Sequence, residues 1–261
     1  MTLSALPNRL ATAPPLIGTL VTMENPEAAE ALAISGMHWL FVDAEHSPTL
    51  DTRSIQRITQ AVAGRAYVIA RIPVADEGWI ARILDSGADG VIVPHVRSAD
   101  DARRWVRAAK YPPLGTRGVG IARAHGYGMD LAGYLSRAND ATALILQIED
   151  AEAVRHIDDI VAVPGYDAVF IGPYDLSGSM GRLGKVDDPA VRAAVAQVRA
   201  ACGAAKVPFG IFSGTADGAA DELAHGASFV AIGSDIGLMA GTARATLDSL
   251  HRKRHPDDQR E

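Results

Sequence analysis

Cysteine is nearly absent from this chain. One residue in 261, Cys202, rules out a disulfide within the molecule, and its place in an Ala-rich helical pattern reads as a packed small side chain rather than a nucleophile. Lysine is almost as scarce. Lys110, Lys185, Lys206 and Lys253 are the only four, and none ends an apolar run, so a Schiff-base mechanism lacks its amine. No apolar stretch approaches the roughly 20 residues that span a bilayer. Residues 1–15 hold Pro7, Pro14 and Pro15 without a long apolar core, so no signal peptide and a cytoplasmic location are expected. Net charge is −6 and no Lys/Arg run is interleaved with aromatics, which argues against a nucleic-acid partner. Gly-x-Ser-x-Gly is missing, and no Gly-x-Gly-x-x-Gly follows the first apolar run, which removes two common catalytic and cofactor signatures. The segment Gly178–Lys185 has the look of a phosphate loop, but Val186 follows the lysine where a magnesium-binding hydroxyl belongs. It reads instead as a mobile glycine-rich flap.

What is present is apolar material in a regular order. Hydrophobic residues make up 48% of the chain, charged residues 21% and aromatics 5%, a balance suited to α/β layering. Eight short apolar runs recur: Leu16–Val21, Trp39–Val42, Tyr67–Ala70, Gly90–Val93, Ala143–Ile148, Ala168–Ile171, Pro208–Phe212 and Phe229–Ile232. Amphipathic segments lie between them, at Pro26–Ile34, Leu50–Ala63, Glu77–Leu84, Ala99–Ala109, Ala151–Val161, Pro189–Ala205, Asp217–Ala224 and Asp235–Leu250. Pro26 and Pro189 suit first helical turns, and Gly36, Gly64 and Gly226 suit helix stops. Eightfold β–α alternation predicts a closed (β/α)8 TIM barrel, with an open doubly wound sheet as the alternative. The whole chain, 1–261, reads as this one barrel domain, with 251–261 a polar tail of the composition of a frayed end. The longest irregular stretch, Tyr111–Asp130, is rich in Gly and Pro, and a loop that long reads as functional.

Polar residues collect where the apolar runs stop. Asp43, Glu45 and His46 follow the second run, Arg71 the third, and Pro94 and His95 the fourth. Gln147 and Glu149 end the fifth, and Gly172, Pro173 and Asp175 the sixth. In a parallel barrel these positions share the catalytic face. Glu149 and Asp175, 26 residues apart, are about one strand-plus-helix unit apart, and two hard oxygen ligands suit a divalent cation with open positions. The competing reading is two solvated carboxylates opening helices. Arg71, with a planar and permanently charged fork, suits a carboxylate or a developing oxyanion, unless it only salt-bridges an acid. His46 is the natural proton mover, with Asp43 or Asp85 available to raise its basicity, unless it caps a helix at Ser47–Pro48.

The ordered set Trp39-Leu-Phe-Val-Asp-Ala-Glu-His46, Ala70-Arg71-Ile-Pro73, Leu84-Asp-Ser-Gly-Ala-Asp-Gly90 with Val93-Pro94, Tyr111-Pro-Pro-Leu-Gly-Thr-Arg-Gly118, Gln147-Ile-Glu149 and Ile171-Gly-Pro-Tyr-Asp-Leu-Ser177 resembles the HpcH/HpaI aldolases. These are class II, metal-dependent pyruvate aldolases. The resemblance implies the phosphoenolpyruvate/pyruvate type of TIM barrel and a carbon–carbon lyase joining a pyruvate or hydroxypyruvate donor to an aldehyde. It implies Mg²⁺, Mn²⁺ or Co²⁺ held by Glu149 and Asp175, and no organic cofactor. Gln147 and the backbone amides of Tyr174 and Asp175 would seat the oxo acid, in the strand-end pocket of Gly172 and Pro173. Arg71 would stabilise the enolate, and His46 would accept a proton through water, supported by Asp43 and Asp85. A trimer-based hexamer is implied, with the last helix packing on a neighbour. Tyr174 departs from the small residue that relatives carry, and Phe212 sits where it lines the pocket, so both bear on the choice of aldehyde. An acyl-CoA lyase of the malyl-CoA or citryl-CoA type, a phosphoenolpyruvate-handling enzyme and a repurposed binding barrel are the rival readings.

Overall fold

The computed structural model describes residues 3–12 and 14–254, with side chains through Arg252. Eight parallel strands close on themselves in chain order: β1 (Leu16–Val21), β2 (Trp39–Asp43), β3 (Tyr67–Arg71), β4 (Gly90–Val93), β5 (Ala143–Ile148), β6 (Ala168–Ile171), β7 (Phe209–Ser213) and β8 (Phe229–Ser234). The barrel is therefore the expected one, and the open sheet is excluded. The helices are α1 (Leu6–Leu10), α2 (Pro26–Ile34), α3 (Thr52–Val62), α4 (Glu77–Asp85), α5 (Ala99–Ala109), α6 (Leu131–Ala141), α7 (Ala151–Arg155), α8 (Ile157–Val161), α9 (Pro173–Ser179), α10 (Pro189–Ala205), α11 (Ala216–Ala224) and α12 (Asp235–Arg254).

Strand periodicity sorts every side chain. Successive residues of a strand face opposite ways, so Leu40 and Val42, or Val68 and Ala70, pack under the helices. Their alternates Trp39, Phe41, Tyr67, Ile69, Ile145, Phe170 and Phe229 fill the barrel. Five of the fourteen aromatics lie here. Trp39 packs edge-on against Phe170 and Phe229 at 6.1 and 5.5 Å between centroids, and its indole N–H donates to the Val230 carbonyl at 3.0 Å. A side chain on Gly18 would overlap that indole, so glycine is required there for close approach. Helix α1 plugs the N-terminal end, where Leu6 and Leu10 are buried against the inner cluster.

The inward phase continues past the apolar layers into polar residues. Asp43 follows Trp39 and Phe41, Arg71 follows Tyr67 and Ile69, and Gln147 and Glu149 follow Ala143 and Ile145. The functional side chains are thus the top layer of the barrel's own interior stack.

Several sequence expectations are corrected. The Ala151–Val161 helix is two, broken at His156. Helices α1, α6 and α9 were not anticipated; Pro173 at the first position of α9 presets a helix directly after β6. His251–Arg254 continue α12 rather than belonging to the tail; the remainder of that tail lies outside the described residues. The Tyr111–Asp130 stretch, expected to be functional from its length, lies away from the C-terminal ends of the strands. It links the end of α5 to α6, and α6 feeds the N-terminal end of β5, so the connection runs under the barrel. There Arg117 pairs with Asp85 at 2.6 Å and Arg123 donates to the Ser86 carbonyl at 3.0 Å. The Gly178–Lys185 segment is also pinned: Gly184 N–H donates to the Ser177 hydroxyl at 2.9 Å, and Arg182 pairs with Asp188 at 2.8 Å.

Candidate active site

Parallel register places Asp43 beside Arg71 on β2 and β3. The guanidinium grips the carboxylate through Nε at 2.9 Å and Nη2 at 2.7 Å, with both side chains buried. Nη1 meets Glu45 Oε2 at 3.0 Å, and the Cζ atom lies 5.3 Å from the Phe41 ring centroid. Burial opposes the Arg71 charge, but the hydrogen bonds to Asp43 and the charges of Asp43, Glu45 and Glu149 outweigh it and raise its pKa. Of five guanidinium N–H groups, two donate to Asp43, while Nη1 only forms an ion pair with Glu45, whose Oε2 accepts no hydrogen bond. The remaining N–H groups are left for the cavity.

Asp43 also accepts from the backbone N–H groups of Glu45 at 3.1 Å and His46 at 3.4 Å, which fixes the turn after β2. Its carboxylate therefore serves Arg71 and the turn backbone. It does not reach the His46 ring, which is 65% exposed and 4.0 Å from Glu45. Asp85 is further removed. Helix α4 runs antiparallel to the strands, so its last residue lies at the N-terminal end of the barrel, held by Arg117. Within one chain the expected support of His46 by Asp43 or Asp85 is not formed.

Glu149 projects from the end of β5 into the same polar layer and is 3% exposed at the side chain. Its Oε1 accepts from the backbone N–H of His95 at 2.8 Å and meets the His95 ring at Nδ1, 3.1 Å away, while Gln147 Nε2 contacts Oε2. Desolvation raises the Glu149 pKa against these favourable contacts, and the neighbouring Glu45 charge adds to the rise. The other edge of the His95 ring reaches Glu45 Oε1 at 3.0 Å. His95 and Glu45 are the functional candidates to which the sequence assigned no role. Their position past the apolar runs was the available signal, but pairing across strands is invisible in one dimension.

Asp175 sits in the first turn of α9, not at a strand end, and is exposed. With Arg71, Gln147, Gly172 and Pro173 it lines a cavity of about 160 Å³, floored by Phe41 and Phe170. That is room for about five waters at ~30 Å³ each, the scale of a small oxo acid. The donor chemistry fits a hard divalent cation. Gln147 Oε1 is buried without a partner, and a Cβ on Gly172 would stand 3.2 Å from Glu149 Oε2 and 3.3 Å from Gln147 Nε2. Glycine thus keeps the space beside Glu149 Oε2 and the Gln147 amide open. Among the described residues no three His, Cys, Asp or Glu are arranged to hold an ion alone.

Tyr174 and Phe212 stack edge-on at 5.9 Å between centroids and form one wall of this cavity. On their far side a second cavity of about 530 Å³ runs between α10 and α11, past Ser213, Thr215 and the Arg199–Glu222 ion pair at 3.0 Å. No lysine lines the smaller cavity. Lys110 is buried at the opposite end of the barrel, its ammonium bonded to the carbonyls of Asn139 and Thr142 at 2.8 and 3.1 Å and to Asp167 at 3.0 Å.

Known proteins match this chain over nearly its full length. It is 39% identical over 243 residues to a 2-dehydro-3,6-dideoxy-6-sulfogluconate aldolase of Pseudomonas putida, covering 92% of this chain and 94% of the relative. It is 41% identical over 250 residues to a hydroxypyruvate/pyruvate aldolase of Deinococcus radiodurans, covering 94% and 88%. The crystal structure of an HpcH/HpaI aldolase/citrate lyase family protein from Burkholderia cenocepacia superposes with a TM-score of 0.90 at 34% identity, covering 94% of this chain and 98% of that one. The HpcH/HpaI aldolase/citrate lyase family model spans residues 16–241, and with the barrel and its polar mouth in place, the chain belongs to that family.

Proposed function

We propose that this protein is a class II aldolase: a metal-dependent carbon–carbon lyase that joins a 2-oxo acid, pyruvate or hydroxypyruvate, to an aldehyde and cleaves the product in reverse. The observation that carries the reading is one small cavity bounded by Arg71, Gln147 and Asp175, with no lysine on its walls and Glu149 Oε2 beside its Gly172 wall. Glu149 and Asp175 would hold the cation. When bound, it supplies Lewis-acid polarisation of the 2-oxo group and so eases loss of a C3 proton.

The chain's own residues do the rest. Gln147, with an unpartnered Oε1, orients the donor. The amides of Tyr174 and Asp175 lie in the first turn of α9, where no carbonyl of the same helix accepts from them, and they receive the donor carboxylate. Arg71, held by its hydrogen bonds to Asp43 and paired with Glu45, directs its remaining N–H groups at the oxygen that gains charge as the enolate forms. Fixed donors of this kind need no reorganisation during reaction. His46, exposed at the rim, moves the proton of the aldol hydroxyl through water. Asp85 can assist it only from a neighbouring copy, since its own chain places it at the opposite end of the barrel.

Association into the implied trimer-based hexamer is supported by α12, which leaves Ile236, Met239, Leu247 and Leu250 at least half exposed. Exposed apolar side chains repeated along one helix favour burial against another subunit. Among the described residues no helix is long and apolar enough to cross a membrane.

The test is product formation from pyruvate or hydroxypyruvate and a panel of aldehydes, on protein stripped by chelator and resupplied with Mg²⁺, Mn²⁺ or Co²⁺. Activity lost on stripping and regained with an ion supports the reading. Unchanged turnover in chelator refutes it.

A further inference from the structure

His95 holds an unusual position. Its backbone is left-handed, φ +58°, a region that side chains other than glycine rarely occupy and that marks functional sites when it occurs there. Of the other non-glycine residues with positive φ, Ala63 and Lys206 end helices and Tyr127 lies in the turn under the barrel. Among the described non-glycine residues, only His95 adopts it at the mouth of the barrel.

The conformation lets one residue present three groups to two buried acids. The His95 amide and ring Nδ1 meet the same Glu149 oxygen at 2.8 and 3.1 Å, and Nε2 meets Glu45 at 3.0 Å. Glu45 in turn meets Arg71 at 3.0 Å. The ring is 53% exposed, but Glu149 and Glu45 are 3% and 10% exposed at their side chains, so the bridge is not a chance contact between surface groups. An imidazole has nitrogen at both edges of a rigid plane, and such a plane spans two carboxylates at a fixed separation.

We propose that His95 is a positioning residue that couples Glu149 to the Glu45–Arg71 pair. It fixes the carboxylate offered to the cation relative to the guanidinium offered to the enolate oxygen. The proposal rests on the reading of Glu149 as a metal ligand. Groups that orient a ligand from behind typically set metal affinity by 10- to 100-fold.

The experiment uses the full-length, chelator-stripped protein and reads two quantities: Mn²⁺ affinity by calorimetry, and kcat and KM for pyruvate with glycolaldehyde. His95→Gly tolerates the backbone, keeps its N–H and removes the ring. It is expected to weaken Mn²⁺ binding by about 10-fold or more and to lower kcat beyond any change in KM. His95→Asn also tolerates a left-handed backbone and places an amide near Nδ1. It is expected to restore Mn²⁺ affinity to within about threefold of wild type while kcat stays low, because the link to Glu45 is still broken. Wild-type Mn²⁺ affinity and kcat in His95→Gly would overturn the proposal. Glu149→Ala separates the two levels: loss of Mn²⁺ binding there with none in His95→Gly sinks the positioning role alone, whereas wild-type binding in Glu149→Ala sinks the ligand reading beneath it.

Discussion

Removing Asp43 is the perturbation whose cost can be worked out most fully. Asp43→Ala deletes the acceptors of Arg71 Nε and Nη2 and frees the backbone N–H of Glu45. The guanidinium stays buried, with Glu45 as its nearest remaining counter-charge at 3.0 Å. Breaking one partner out of a buried pair costs about 3–5 kcal/mol, and the surviving contact puts this case near the lower end, about 3 kcal/mol. For a chain of this size each kcal/mol is worth about 2–4 °C, so thermal unfolding should show Tm lower by about 6–12 °C. Arg71 would also lose its aim, and a displacement of about 1 Å at a reacting centre can cost on the order of 100-fold in rate. A cycle with Arg71→Met and the double variant isolates the pair, which should couple by well over 1 kcal/mol. A Tm within 2 °C of wild type together with a kcat within about threefold would refute the assignment of Asp43 to Arg71.

Four further outcomes follow from other parts of the molecule. Burial pushes the Cys202 thiol up to about 12; since only the thiolate reacts, and at pH 8 it is a very small fraction of the buried thiol, native protein at pH 8 should resist iodoacetamide and label stoichiometrically once unfolded. Lys110→Met should cost about 3 kcal/mol in urea unfolding by stranding Asp167, whose carboxyl burial already raises and the Lys110 charge opposes, while leaving kcat unchanged. In the same assay series, borohydride with pyruvate should not inactivate the wild type, because no lysine lines the donor cavity. Tyr174→Ala should open the wall between the two cavities and shift kcat/KM toward bulkier aldehydes over glycolaldehyde by roughly 10-fold. An unchanged ratio would remove Tyr174 from acceptor choice.

The barrel was legible because its strands are buried on both faces and read as unbroken apolar runs, and because Trp39, Phe41 and Asp43 share a phase that one dimension displays directly. The acids, Arg71 and Gln147 were legible for the same reason. Helix α9 was not: Gly172 and Pro173 read as the end of a strand, though Pro173 also begins a helix, and Asp175 moved with it. The roles of Asp43, Glu45 and His95 were hidden because they arise from contacts across strands rather than from spacing along one. The Tyr111–Asp130 segment was legible as a long irregular connection, but which end of the barrel it occupies depends on the direction of the helix before it.

The central claim is that a 2-oxo acid is enolised at the mouth by the group of Glu149, Asp175 and Arg71. Exchange of the C3 protons of pyruvate for deuterium, followed by proton NMR without any aldehyde, reads that step alone. Wild-type protein supplied with Mg²⁺ should exchange them, and Glu149→Ala, Arg71→Ala and chelator-treated protein should not. Exchange at the wild-type rate in Glu149→Ala, or in the presence of chelator, would contradict the account.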